Sequence, residues 1–297
     1  MGRWSGGGAV PPGGSGLIGA GGGLGLDPVA LLPVLAAALL YGVGTRRLAP
    51  RGRAWPASRT TLFGLGLVAL LAATQGPLAA AATTRFSAHA GQHLLLGMVG
   101  PFLLALAAPL TLALQAGGAA TTARLRRLLH HQAARVLAHP LVGLALFGGS
   151  LFALYFSPLL GLSLGNGLVH ASVHLHFVAA GVIFLWPVVA VDPVAARPSH
   201  PVRLLAVFLT LPLHAVLGLA ILSGDRLLAG GWYGRAVGPE LALADQKAGG
   251  GVLWAAGEMV GLACAGMVLH QWMAADEREA SRNDRRLDRL AATAEAS

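Results

Sequence analysis

Charge is scarce in this 297-residue chain. Charged residues make up 11% of it and hydrophobic residues 55%, whereas a soluble domain carries about 25% charged residues. That excludes an ordinary water-soluble fold. Cysteine is scarcer still: Cys264 is the only one, so an intrachain disulfide and a Cys-x-x-Cys redox pair are both excluded. The first 26 residues lack the basic-then-apolar pattern of a signal peptide. Their glycine-rich composition reads as a flexible extension over residues 1–26. The net charge of +9 raises the question of nucleic acid. The arginines, however, cluster in short segments between apolar runs and in the tail, which is how membrane topology is written in a sequence. No nucleic-acid partner is expected.

Long apolar runs are what the chain does have. Residues 60–84 carry no charge, residues 86–123 no Asp, Glu, Lys or Arg, and residues 136–191 none in 56 positions. A span needs roughly 20 residues, so the last run holds two. The expected fold class is all-α, a polytopic membrane bundle of seven transmembrane helices in a multi-pass plasma (inner) membrane protein. The predicted helices cover residues 28–44, 61–82, 87–114, 140–156, 168–190, 202–222 and 249–273. Gly-Pro, Gly-Gly and X-Pro breakers separate them, the last being Gly249-Gly250-Gly251. Pro101 and Pro109 fall inside the third, tolerable if neighbouring helices satisfy the freed carbonyls. With seven spans, one face collects 16 of the basic residues (Arg203 among them) and the other 5. The N-terminus is therefore expected outside and the C-terminus in the cytoplasm. Residues 27–275 form the membrane domain and 276–297 a charged cytoplasmic tail, helical over 276–289. Residues 121–138 are expected to form a basic amphipathic helix on the cytoplasmic surface. In the external loop of residues 223–247, Trp232 and Tyr233 read as interface anchors.

Six of the eleven histidines lie in these apolar segments. An ionisable residue there is costly and tends to mark a site. His89 and His93 are i, i+4 on the third helix, and His170 and His174 repeat that spacing on the fifth. Each pair shares a helix face, and both begin three residues from an outer end, so they sit at matching depth. Two imidazoles at this spacing can share a metal. His176 points about 200° away from His174, toward a further contact or a neighbouring helix. His214 lies deeper, level with Glu258, and the two can pair. Met98 and Met259 read chiefly as packing, with Met98 kept near the site. Cys264 reads as inert. His130, His131, His139, His200 and His270 fall near the cytoplasmic surface and carry no assigned site. No Ser–His–acid set stands out at one depth, so no enzyme is expected.

Several motifs occur together: Phe86-Ser87-Ala88-His89-Ala90-Gly91-Gln92-His93, Leu154-Tyr155-Phe156-Ser157-Pro158, His174-Leu175-His176-Phe177, Trp186-Pro187, Asp192-Pro193, Trp232-Tyr233, Ala244-Asp245-Gln246, Gly249-Gly250-Gly251 and Gly257-Glu258. In this order the chain resembles the seven-helix CtaG-type family of cytochrome c oxidase assembly factors. The resemblance implies copper handling for a haem–copper oxidase, with oxidase subunits as partners within the membrane. It carries over His89, His93, His174, His176, His214, Asp245 and Glu258. Ala90, Leu94 and Val173 stand where the family pattern has Met, which weakens a thioether-assisted Cu(I) site. The expected metal is copper, held by His89, His93, His170, His174, His176 and His214, with Glu258, Asp245 and Met98 around them. The alternatives are a CopD-like copper transporter and a b-type haem protein with axial histidines.

Overall fold

The computed structural model describes residues 27–295, residue 53 apart, so the glycine-rich extension lies outside the described residues. The helices are α1 (Pro28–Leu48), α2 (Ala57–Thr74), α3 (Gly76–Ala82), α4 (Phe86–Leu94), α5 (Gly100–Leu106), α6 (Pro109–Ala116), α7 (Ala119–His130), α8 (Gln132–Leu137), α9 (Pro140–Tyr155), α10 (Leu159–Gly165), α11 (Gly167–Val189), α12 (His200–Leu222), α13 (Gly234–Val237) and α14 (Pro239–Glu295). A π-helical turn, Leu95–Val99, joins α4 to α5. No strand occurs among the described residues.

Among the described residues, six helical stretches are long and apolar enough to cross a bilayer: α1, α2, Phe86–Leu106, α11, α12 and α14. The expected fourth span is α9, whose 16 residues reach about 24 Å, short of the roughly 30 Å hydrocarbon core. It bends by 74° into α10. The count is therefore six, or seven when the bent pair is one span. The pair still runs the depth of the bundle. Gly143, near its start, lies against Phe184 toward the end of α11, and Tyr155, at the end of α9, packs on Phe86 at the start of α4 with ring centres 5.6 Å apart.

Two predicted helices are interrupted and a third runs on through a proline, and proline chemistry explains the breaks. Residues 61–82 divide at Gln75, with Gly76 at φ +70°. Pro77 has no N–H for the Ala73 carbonyl four residues back, and Gln92 of α4 donates to that carbonyl instead, at 2.6 Å. Residues 87–114 become α4, the π turn, α5 and α6. Pro101 frees the Gly97 carbonyl, which faces α11 so closely that a methyl at Gly181 would lie 2.0 Å from its oxygen. Ala108 adopts a left-handed conformation before Pro109. Asp192 then caps α6, accepting from Leu110 N at 3.0 Å, Thr111 N at 2.7 Å and Thr111 Oγ1 at 2.6 Å. In α11 the helix continues through Pro187, and a methyl at Gly143 of α9 would sit 3.0 Å from the freed Ile183 carbonyl.

The glycine triplet does not start the last helix. α14 begins at Pro239 and runs unbroken through it for 57 residues, about 85 Å. Small residues here let backbones approach, as in other membrane helices. A methyl at Gly249 would collide with Phe86 of α4, and Gly250 and Gly218 of α12 abut each other's carbonyls. The predicted tail helix is thus the exposed continuation of this rod. Arg203 is no loop cation. It is fully buried and closes the C-terminus of α11, donating to Val188 O at 2.7 Å and Val189 O at 3.1 Å, with Gln271 Oε1 at 2.6 Å. A cation suits the negative end of a helix dipole.

Candidate functional site

Two caps set the site. At α4, Asp245 of α14 accepts from Ser87 N at 3.1 Å and Ser87 Oγ at 2.5 Å, a carboxylate on the positive end of the helix. At α11, Asn166 Oδ1 accepts from Leu168 N and Val169 N at 3.0 and 3.2 Å. The two helices leave these anchors in the same direction, so equal offsets meet. His89 lies beside His170 with ring centres 5.9 Å apart, and His93 beside His174 at 5.7 Å. Along the helices, His89–His93 is 4.3 Å and His170–His174 is 4.2 Å. The four imidazoles expected to share one depth form a closed quadrilateral.

The surroundings are aromatic. Phe177 is 4.6 Å from His93, Tyr155 6.2 Å from His93, and Tyr233 6.3 Å from His89. His89 and His93 are almost wholly buried. Ser163 of α10 reaches His170 Nδ1 at 3.1 Å. Both ring nitrogens of His89 and of His93, His174 Nε2, and the hydroxyls of Tyr155 and Tyr233 have no hydrogen-bond partner. These are seven of the nine buried, partnerless side-chain polar atoms among the described residues, so the deficit is concentrated at this spot. Burial first, then the neighbouring Tyr155 and Asp245, holds the Tyr233 phenol well above its ordinary pKa; it stays protonated.

As the rings stand, no group of three or more His, Cys, Asp or Glu among the described residues is arranged to hold a metal ion. The donor chemistry is nevertheless suited to one: imidazole binds copper, zinc, iron or nickel, and the unpaired nitrogens are free to do so.

Other expected site residues fall elsewhere. His176 is exposed on the outer side of α11, as its 200° offset from His174 dictates, and is not brought to the quartet. His214 is buried deeper, beside Phe147 at 6.0 Å. Its Nδ1 pairs with the Thr210 carbonyl at 2.9 Å, and its ring fills the space opposite Gly257. The expected bond to Glu258 is not made, because Gly257, not Glu258, faces the ring. Asp245 acts through Ser87 rather than on an imidazole. Met98 is buried in the π turn, and Met259 is exposed. Tyr233 is buried against Phe86 and His89, not an interface anchor. Trp232 does lie at the edge, donating to Thr83 O at 3.1 Å. Tyr155 and Tyr233 were missed as site residues; both stand inside the quoted motifs, which was the available signal.

No solved structure matches the chain. Among curated sequences, it is 32% identical over 260 residues to an uncharacterized protein of Mycobacterium bovis and to one of Mycobacterium tuberculosis. It is 32% identical over 257 residues to one of Mycobacterium leprae. Each alignment covers 84% of this chain but only 39% of the relative, so the chain spans about two-fifths of their length. The clustered histidines of α4 and α11, the Asp245 cap and the broken helices all fall within residues 39–275, where the sequence matches the cytochrome c oxidase caa3 assembly factor family, and to that family the chain belongs.

Proposed function

We propose that the protein serves oxidase assembly by holding a copper ion among His89, His93, His170 and His174 for delivery to a haem–copper oxidase. The observation that carries this is the cluster of seven buried polar atoms without partners. A buried polar group left unpaired costs about 1–3 kcal/mol, so a set of them in one place calls for a ligand. Binding turns the rings about their Cβ–Cγ bonds to aim nitrogens inward. Copper is cargo in this reading, and the protein is not an enzyme. A b-type haem is less well served, because imidazoles in mutual contact leave no flat slot for a macrocycle.

In this reading the histidine end faces outside. Arg46 and Arg47 on α1 and the arginines of α7 lie at the opposite end of the bundle from His89, and basic residues favour the cytoplasm. Metal then arrives from outside and passes laterally to an oxidase subunit in the plasma membrane. The decisive measurement is copper content and oxidase assembly with His93→Ala and His174→Ala. Each is expected to weaken copper retention at least ~10-fold and to lower oxidase activity. Normal values of both in both variants overturn the proposal.

A further inference from the structure

A cavity of about 600 Å³ opens at the end of the bundle opposite the histidines, lined by Val43, Arg46, Arg47, Pro50, Ala116 and Gly118. We propose that it binds the phosphate group of an anionic phospholipid. Among the described residues, two guanidiniums line it and no carboxylate does. Consecutive helical residues diverge by about 100°, so Arg46 and Arg47 seldom share a target. Here both line one cavity. Both are exposed, and neither has a hydrogen bond or ion pair among the described residues, so neither guanidinium is committed to a protein partner there. Guanidinium forks match phosphate oxygens with two parallel bonds.

The rest of the lining fits a lipid better than a soluble phosphate. Val43, Pro50 and Ala116 present apolar surface suited to the glycerol and first methylenes. The cavity lies just where the exposed leucines of α1, Leu39 and Leu40, give way to arginines, the level of headgroups. Gly118 has open space beyond its α-carbon and precedes α7, whose first turn carries neither a side-chain cap nor an acid. α7 has no buried residue and mixes Arg124, Arg126 and Arg127 with Leu125 and Leu128, as a helix lying on an anionic surface does.

The test is native mass spectrometry of the full chain in micelles doped with phosphatidylglycerol or phosphatidylcholine. The wild type is expected to retain one phosphatidylglycerol in preference to phosphatidylcholine by about tenfold or more, the scale of two basic contacts to an anionic lipid. The double variant Arg46→Gln/Arg47→Gln should lose that preference. So should Gly118→Leu, which projects a side chain into the cavity and keeps both charges; it carries the test alone if the double variant does not fold. Equal retention of the two lipids by the wild type, or a preference surviving in the variants, overturns the proposal. Displacement of the lipid by excess inorganic phosphate overturns the lipid assignment in favour of a soluble ligand.

Discussion

At the scale of single residues, partnerless atoms separate stability from function. The Tyr155 and Tyr233 hydroxyls make no hydrogen bond, so their removal deletes a desolvation cost and no contact. Tyr155→Phe and Tyr233→Phe are therefore expected to leave thermal unfolding in detergent unchanged or shifted upward by up to ~1 kcal/mol. If the phenols serve the bound ion, the same variants lose copper. A fall in melting temperature without copper loss would show that the tyrosines are packing. The histidine pairs were legible because helical spacing alone puts positions 89 and 93 on one face. Their meeting with positions 170 and 174 followed from equal distances to two helix starts. Tyr233 was not legible in that way, because it stands in a connection with no periodicity. Arg203 was misread because a cation next to a loop looks the same in sequence whether it is solvated or turned back onto helix-end carbonyls.

At the scale of elements, the carbonyls freed by three prolines each have a close neighbour. The carbonyls freed by Pro77, Pro101 and Pro187 face Gln92, Gly181 and Gly143 respectively, a donor in the first case and bare backbone in the others. Gln92→Leu keeps the volume and strands the Ala73 carbonyl; a loss of about 1–3 kcal/mol in unfolding free energy is expected, with no direct loss of a copper donor. Gly181→Ala is expected to be worse. Its methyl would meet the Gly97 oxygen at 2.0 Å, backbone against backbone, so α11 must shift away from the π turn and carry His174 from His93. Poor expression, or folded protein with reduced copper content, is the expected outcome; wild-type values for both would mean that the contact is not needed. Proline and glycine positions in the sequence foretold where regularity would fail, but not which element makes good the loss. That also explains the misplaced start of the last helix: a run of three glycines looks like a breaker until the close approach of α4 and α12 is seen.

At the scale of the whole molecule, the apolar runs located the spanning segments, while the fourth was harder to count because α9 is short and bent. Sidedness is open to direct measurement. The exposed stretch 276–289 of α14 contains five arginines, so trypsin should trim it in inside-out vesicles and spare it in right-side-out ones. The reverse pattern would place the histidines on the cytoplasmic side. The α14 rod has a mechanical corollary. Asp245 holds it to the first turn of α4, and Gln271 holds it to the last turn of α11 through Arg203, 26 residues or about 39 Å farther along. A continuous helix barely stretches, so these two pins act as a gauge block: in a thinner or thicker bilayer the bundle can lean or deform the lipid around it, but its two rims keep their separation.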